Sequence, residues 1–142
     1  MTRLVPDTDA AMVMGIASTA MPFARSREAE AERWLRILRL NGEAGVVLQA
    51  LGVSEGPLET AADTTNGEPA HTETGDVMTL VNEDAAILAA RRGASAFDTS
   101  DVLMAVMNLY GADFDRVLRR HGTDRDEVLN RLGVKPSDTL DS

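Results

Sequence analysis

The second half of the chain repeats the first, and this duplication limits the folds open to it more than any other feature. Val47-Leu48 and Gly52 recur about 70 residues later as Val117-Leu118 and Gly122. Self-similarity at a fixed spacing is the signature of repeated structural units, and such units usually build binding surfaces. We therefore expect a duplicated helical module with no obvious reaction centre.

Length and composition exclude several classes of protein. The 142 residues are enough for one domain with a stable core. Cysteine is absent, which excludes disulfides, thiolate metal sites and cysteine nucleophiles. The segment Met1–Asp7 lacks a secretory pattern, and no apolar run reaches the ~20 residues that span a bilayer. We expect a soluble, cytoplasmic protein without a membrane partner.

The charge balance argues against a nucleic-acid partner. The chain holds 23 acidic and 14 basic residues, a formal net charge of −9, and so repels a phosphate backbone. Two arginine groups nevertheless have helical spacing: Arg33, Arg36 and Arg39, and Arg116, Arg119 and Arg120. Two interpretations remain open for them: a solvated face paired with Glu and Asp, or a docking site for an acidic or phosphorylated partner.

Hydrophobic periodicity predicts an all-α fold, because no segment alternates apolar and polar residues as a strand does. We expect two tandem four-helix repeats related by a pseudo-two-fold axis and forming a single domain. The predicted bounds are about 8–59 for repeat one, 60–75 for a connector, 76–133 for repeat two and 134–142 for a frayed tail. The fourth helical turn of repeat one is expected at Gly56–Glu59.

Capping residues and apolar stripes refine this prediction. The candidate caps are Thr8 or Asp9, Asp98 or Thr99, and Thr123 with Asp126 three residues later. Trp34 is the sole indole and is expected to anchor the core. Several other apolar residues at helical spacing are also expected to point inward, among them Leu40, Val46, Leu80 and Ile87.

A family resemblance follows from these segments. The stretch from Gly93 to Val106, GASAFDTSDVLMAV, resembles the helix end, loop and helix start of the Clp N-terminal (Clp repeat) domain, which precedes the ring of Clp-type AAA+ unfoldases. Val117-Leu118 with Gly122 is similar to that family's "VLxxLGxD" segment, as is the stretch from Val47 to Val53. The resemblance covers about residues 8 to 133.

The resemblance implies a non-enzymatic module that binds proteins or peptides and regulates Clp-dependent proteolysis. Its expected partners are a Clp unfoldase, its adaptor or client peptides. The chain has no GxxxxGK[ST] loop, so we expect neither ATPase activity nor a cofactor in what looks like a free-standing domain. The alternative is a recruited accessory or resistance protein that sequesters a peptide-like small molecule, or a self-associating scaffold.

The resemblance also points to a site for phosphorylated arginine. In some family members two glutamates, one per repeat, hold the guanidinium of a client phosphoarginine. The first position aligns with Glu32, or with Glu30 if the gap is placed differently; the second is Ser100, with Asp101 beside it. The first of the two family glutamates is therefore kept in this chain, and the second is replaced by Ser100. The alternative role of Glu32 is to stabilise the start of its helix.

A second family site is an apolar patch that receives adaptors and cyclic peptides. Its aromatic positions correspond here to Thr2 and Thr74, so the patch is altered. Four apolar residues nearby are assigned either to a different apolar surface or to the core: Leu4, Val5, Met12 and Val77.

The sequence predicts neither a catalytic residue nor a metal site. His71 lies in the connector and His121 at a helix end, and neither has a second histidine or clustered carboxylates at ligand spacing. The helix dipole explains why a histidine is favourable at position 121, at the C-terminal end of its helix. No nucleophile elbow is present.

Overall fold

The computed structural model describes residues 4–20, 26–53 and 74–132, and these ranges form seven α-helices. The helices are α1 (Thr8–Ala20), α2 (Arg27–Arg39), α3 (Gly42–Ala50), α4 (Thr74–Arg91), α5 (Thr99–Tyr110), α6 (Ala112–Arg120) and α7 (Arg125–Leu132). Within the described ranges there is no strand, only an isolated bridge between Pro6 and Phe97. The all-α prediction is confirmed.

Several of the predicted segments lie outside the described residues. The turn expected at Gly56–Glu59 and the tail at 134–142 lie outside the described residues, as does the predicted connector up to residue 73. Thr74 and Gly75, assigned to that connector, belong to the first turn of α4. None of the described helices is both long enough and apolar enough to cross a bilayer.

Two of the three predicted caps differ from the observed ones by one residue. Asp7, not Thr8 or Asp9, caps α1, since its Oδ1 accepts a hydrogen bond from Ala10 N at 2.8 Å. Asp124, not Thr123, caps α7 by accepting from the backbone N of residue 127 at 2.9 Å. Asp98 caps α5 as predicted. Neighbouring polar residues compete for each cap, and the spacing alone does not rank them.

Helices α2 and α5 form the centre of the molecule. They pack against each other, and each also contacts α1, α3 and α6. The most extensive helix contact joins α4 to α5, where α4 presents the buried small residues Ala85, Ala86 and Ala89. Small side chains let two helix backbones approach closely, which favours packing of α4 against its neighbours.

The core contains Trp34 as expected, but four residues assigned to it are exposed. Trp34 is completely buried on α2. The predictions for Leu40, Val46, Leu80 and Ile87 were wrong, because each is among the large exposed apolar residues of the described chain. The apolar stripes of these helices are wider than the surface that the neighbouring helices cover.

Helices α3 and α6 end in the same backbone arrangement. Each has nine residues and is followed by a glycine with positive φ, +92° at Gly52 and +89° at Gly122. Val53 N donates to Leu48 O at 3.0 Å, and Thr123 N donates to Leu118 O at the same distance. This is the Schellman arrangement, in which a glycine without a Cβ turns the chain and satisfies the last carbonyls.

Candidate functional site

A buried polar cluster lies where α2 packs against the end of α6. Glu32 on α2 is 2% exposed, and the His121 side chain just after α6 is 1% exposed. His121 Nε2 lies 3.0 Å from Glu32 Oε2, and Arg36 Nε donates to the same oxygen at 2.9 Å. Burial of a carboxylate is tolerated only when such partners compensate for lost hydration.

The second oxygen of Glu32 has no such compensation. Glu32 Oε1 is buried without a hydrogen-bond partner in the described part of the chain, and so is the neighbouring Arg33 Nε. Both residues line one open depression of about 220 Å³, together with Ala20 at the end of α1 and with Arg36 and Ile37 on α2. Glu32 therefore has one satisfied oxygen and one unsatisfied oxygen beside a surface depression.

The pKa of Glu32 reflects two opposing effects. Burial raises the pKa, since it disfavours the charged form, but hydrogen bonds from His121 and Arg36 favour that form and lower it. The net direction is downward from the ordinary value. The carboxylate is therefore ionised at neutral pH.

Glu30, the other glutamate predicted for this site, belongs to a different cluster. Tyr110 Oη donates to Glu30 Oε1 at 2.6 Å and accepts from Trp34 Nε1 at 3.2 Å. The Arg27 guanidinium lies 4.9 Å from the centre of the Tyr110 ring. Burial and the Glu30 carboxylate raise the pKa of Tyr110 far above its usual range, so its hydroxyl stays protonated. These contacts join α2 to α5 through the core.

Ser100 and Asp101 lie at the start of α5 and take part in its cap. Ser100 N donates to Asp98 Oδ1 at 2.9 Å, and the Asp101 carboxylate accepts from Asp98 N at 3.0 Å. Arg92 at the end of α4 adds a bidentate ion pair to Asp101, at 3.1 and 2.6 Å. These bonds do not link the Asp101 carboxylate to the Glu32 cluster, and phosphoarginine recognition stays a prediction.

Carboxylate partners are present for Arg36, Arg116 and Arg120 of the two arginine groups. Arg116 Nε donates to Glu28 Oε1 at 3.1 Å, and Arg116 also pairs with Asp113. Arg120 pairs with the same Glu28, and Arg36 pairs with Glu32. These contacts agree with the first interpretation, a face whose arginines pair with acidic residues.

The residues predicted for an apolar surface have different environments. Val77 is buried in the core, Leu4 is partly buried against it, and Val5 is exposed. The Thr74 side chain lies outside the described part of the structure, although its backbone begins α4. Met12 is exposed, so of the four candidates only Val5 and Met12 remain largely accessible.

Sequence reasoning missed the exposure of further large apolar side chains on α1 and α4. Met12 is 53% exposed and Ile16 42% on α1, while Leu80 is 44% exposed and Ile87 46% on α4. The spacings of four and seven residues place each pair on one face of its helix. The two helices pack against each other. The sequence signal was an apolar stripe too broad for one buried face.

The described ranges contain no group of three or more His, Asp or Glu side chains positioned to hold a metal ion. His71 lies outside those ranges. His121, explained from the sequence by the helix dipole, instead contacts Glu32 from a position 89 residues away. That contact was also missed, since no local pattern joins the two residues.

No protein-family model, curated protein or solved structure matches this chain.

Proposed function

We propose that this chain is a non-enzymatic docking module that holds an apolar segment of another polypeptide against α1 and α4. The observation that carries this proposal is the exposure of Met12, Ile16, Leu80 and Ile87 on two helices that pack together. Exposed large apolar side chains on adjacent elements are typical of interaction surfaces.

We further propose that the fold is a tandem repeat with a pseudo-two-fold axis. Exchanging α1 with α4, α2 with α5 and α3 with α6 converts several of the observed helix contacts into one another: α1–α2 becomes α4–α5, α2–α3 becomes α5–α6, and α2–α6 becomes α5–α3. The contact between α1 and α5 has no comparably extensive counterpart between α4 and α2. The matching ends of α3 and α6 support the same relation. If the two repeats are related in this way, α1 and α4 are equivalent helices, and the proposed docking face combines one helix from each repeat.

The negative charge of the chain and of α4 indicates that the partner segment carries positive charge. The chain has a formal net charge of −9, and Asp84 lies between Leu80 and Ile87 on α4. Burial and the neighbouring Glu83 raise the pKa of Asp84, so a positive charge on a partner would favour its ionised form. The proposed occupant is therefore an apolar client segment flanked by Lys or Arg.

The resemblance to Clp N-terminal domains gives this occupant a cellular setting. We propose that the protein acts in the cytoplasm as an adaptor, client-docking module or decoy in Clp-dependent proteolysis. Its partners would be the unfoldase, an adaptor or client peptides. The GASAFDTSDVLMAV segment and the duplicated Val-Leu and Gly positions support the assignment.

Affinity capture from native lysate, followed by mass spectrometry, tests this function. Wild-type protein is compared with the double variant Met12→Ser/Ile16→Ser and with a control, Leu40→Ser/Val46→Ser, which removes equally exposed apolar groups away from α1 and α4. We expect a Clp unfoldase, its adaptor or a known client to be enriched by the wild type and the control but lost from the double variant.

Two outcomes would contradict the proposal. Capture of no Clp component would remove the proteolysis role, and capture that the Met12→Ser/Ile16→Ser variant leaves unchanged would remove the α1–α4 face. Recovery of the untagged chain alone would favour a self-associating scaffold instead.

A further inference from the structure

The depression beside Glu32 combines two unsatisfied groups of opposite character. Glu32 Oε1 is a hydrogen-bond acceptor and Arg33 Nε–H is a donor; both are buried and lack partners. The same depression is lined by both residues. Buried polar atoms in native proteins nearly always have partners, so two exceptions at one depression require an explanation.

The hydrogen bonds formed within the protein do not explain why Glu32 Oε1 and Arg33 Nε are unpaired. Arg36 and His121 both approach Oε2 of Glu32, and this arrangement leaves Oε1 without a donor. Arg33 follows Glu32 directly on α2, is among the residues that line the same depression, and has an unpaired buried Nε of its own. A ligand that satisfies both atoms needs an N–H donor close to an oxygen acceptor.

The local charge specifies the ligand further. Among the lining residues, one carboxylate and two guanidinium groups leave a net positive charge, which favours an anionic or strongly polar oxygen near Arg33. Ala20 and Ile37 add an apolar wall. The volume of about 220 Å³ admits a small molecule or one terminal residue of a peptide.

We propose that this depression binds an α-amino-acid head group, whose ammonium donates to Glu32 Oε1 and whose carbonyl or carboxylate oxygen accepts from Arg33 Nε. A free amino acid and the N-terminus of a peptide both carry this chemistry. Because neither buried atom contacts solvent, binding requires a shift of the side chains that cover them. The site touches α1 only at Ala20, and its polar groups lie on Glu32 and Arg33 of α2, so variants of these two residues test it independently of the docking residues on α1 and α4.

Titration of the full chain with L-leucine tests the assignment, monitored by NMR of the arginine Nε–Hε signals and by calorimetry. We expect a saturable shift of the Arg33 signal. N-acetyl-leucine, which lacks the ammonium, should bind at least tenfold more weakly. Leucinamide distinguishes the two sources: binding equal to that of leucine assigns a peptide N-terminus, and weaker binding assigns a free amino acid.

Matched variants locate the binding. Glu32→Gln and Arg33→Gln should each weaken L-leucine or leucinamide binding at least tenfold, while Glu43→Gln and Arg119→Gln, the same changes at exposed positions of α3 and α6, stay within twofold. Backbone amide spectra check that each variant is folded. If Glu32→Gln does not fold, Arg33→Gln still tests the site.

Three results would overturn the proposal: no saturable shift with either ligand, N-acetyl-leucine binding as well as leucine, or unchanged affinity in both site variants. Binding of an N-acetylated phosphoarginine amide, which has neither a free α-ammonium nor an α-carboxylate, as tightly as leucine would also overturn it, since the recognised group would then be the phosphorylated guanidinium.

Discussion

His121 Nε2 lies 3.0 Å from Glu32 Oε2, and the two side chains are almost completely buried between α2 and the end of α6. Arg36 Nε donates to the same oxygen at 2.9 Å. Glu32 Oε2 therefore has one partner from its own helix and one from the end of α6, and Glu32 and His121 form a polar seam between these two elements.

This contact predicts the outcome of a double-mutant cycle. His121→Leu should lower the free energy of unfolding by about 1–3 kcal/mol, because it removes a partner from a buried carboxylate. Glu32→Met combined with His121→Leu replaces both polar partners by apolar side chains and should recover at least about 1 kcal/mol relative to the sum of the single variants. Urea unfolding at pH 7 measures the free energy of unfolding of each variant.

Arg119→Leu, at an exposed position of α6, is the control and should change stability by less than about 0.5 kcal/mol. Additive effects of the two seam substitutions would show that Glu32 and His121 do not stabilise each other.

The lowered pKa of Glu32 predicts a pH-dependent contribution to stability. The folded-state pKa lies below the ordinary value of 4.5, so the ionised carboxylate stabilises the fold above that pH and its contribution is lost as pH falls through the folded pKa. The stability difference between wild type and Glu32→Gln should therefore be largest near neutral pH and shrink below about pH 4.5.

Urea unfolding of both proteins from pH 7 to pH 3 measures this difference, with the exposed Glu43→Gln as the control for overall acid sensitivity. A difference that grows on acidification would mean that the pKa of Glu32 is raised in the folded protein.

Tyr110→Phe should destabilise the contact between α2 and α5. The hydroxyl is the partner of both Glu30 Oε1 and Trp34 Nε1, so its loss breaks two buried hydrogen bonds. We expect a cost of about 1–3 kcal/mol. The change should also alter Trp34 fluorescence, since Trp34 is the only tryptophan and loses its hydroxyl neighbour. Unchanged stability and emission would place the hydroxyl outside the core network.

Gly42 and Gly52 allow a matched comparison of steric contact. Both have positive φ, +63° and +92°. A Cβ on Gly42 would lie 2.5 Å from Thr99 Oγ1, whereas a Cβ on Gly52 would meet nothing within 4 Å. Gly52→Ala should therefore cost about 1–2 kcal/mol from backbone strain alone. Gly42→Ala should cost at least about 1 kcal/mol more, because Thr99 must move.

Thr99 Oγ1 also accepts a hydrogen bond from Ala44 N at 3.0 Å, so displacing it disturbs the start of α3. Thermal unfolding of both variants shows which substitution lowers the stability more. Equal losses of stability would argue against close packing of α5 on the turn at Gly42.

Local features of the sequence were enough to predict the helical class of the fold and the cap at Asp98. Helix ends depend on nearby glycines and capping side chains, as at Gly52, Gly122 and Asp98, and such signals lie within a few residues of the structure they set. The same locality explains the errors at Asp7 and Asp124, where adjacent polar residues were equally suitable caps.

The site depends on contacts that no local pattern encodes. Glu32 was selected from the family resemblance, but its contact with His121 joins residues 89 apart in sequence. Likewise, an apolar residue at helical spacing is buried only where another helix covers it, so Leu80 and Ile87 fit the periodicity of a core and are nonetheless exposed.

The most direct test of the docking function is a map of the binding surface by NMR. A synthetic peptide with an apolar centre and flanking lysines is titrated into the labelled full chain, and backbone amide shifts are followed. The account predicts saturable shifts concentrated on α1 and α4 around Met12, Ile16, Leu80 and Ile87, with α3 and α7 unchanged. Shifts centred on any other helices, or no saturable binding, would contradict it.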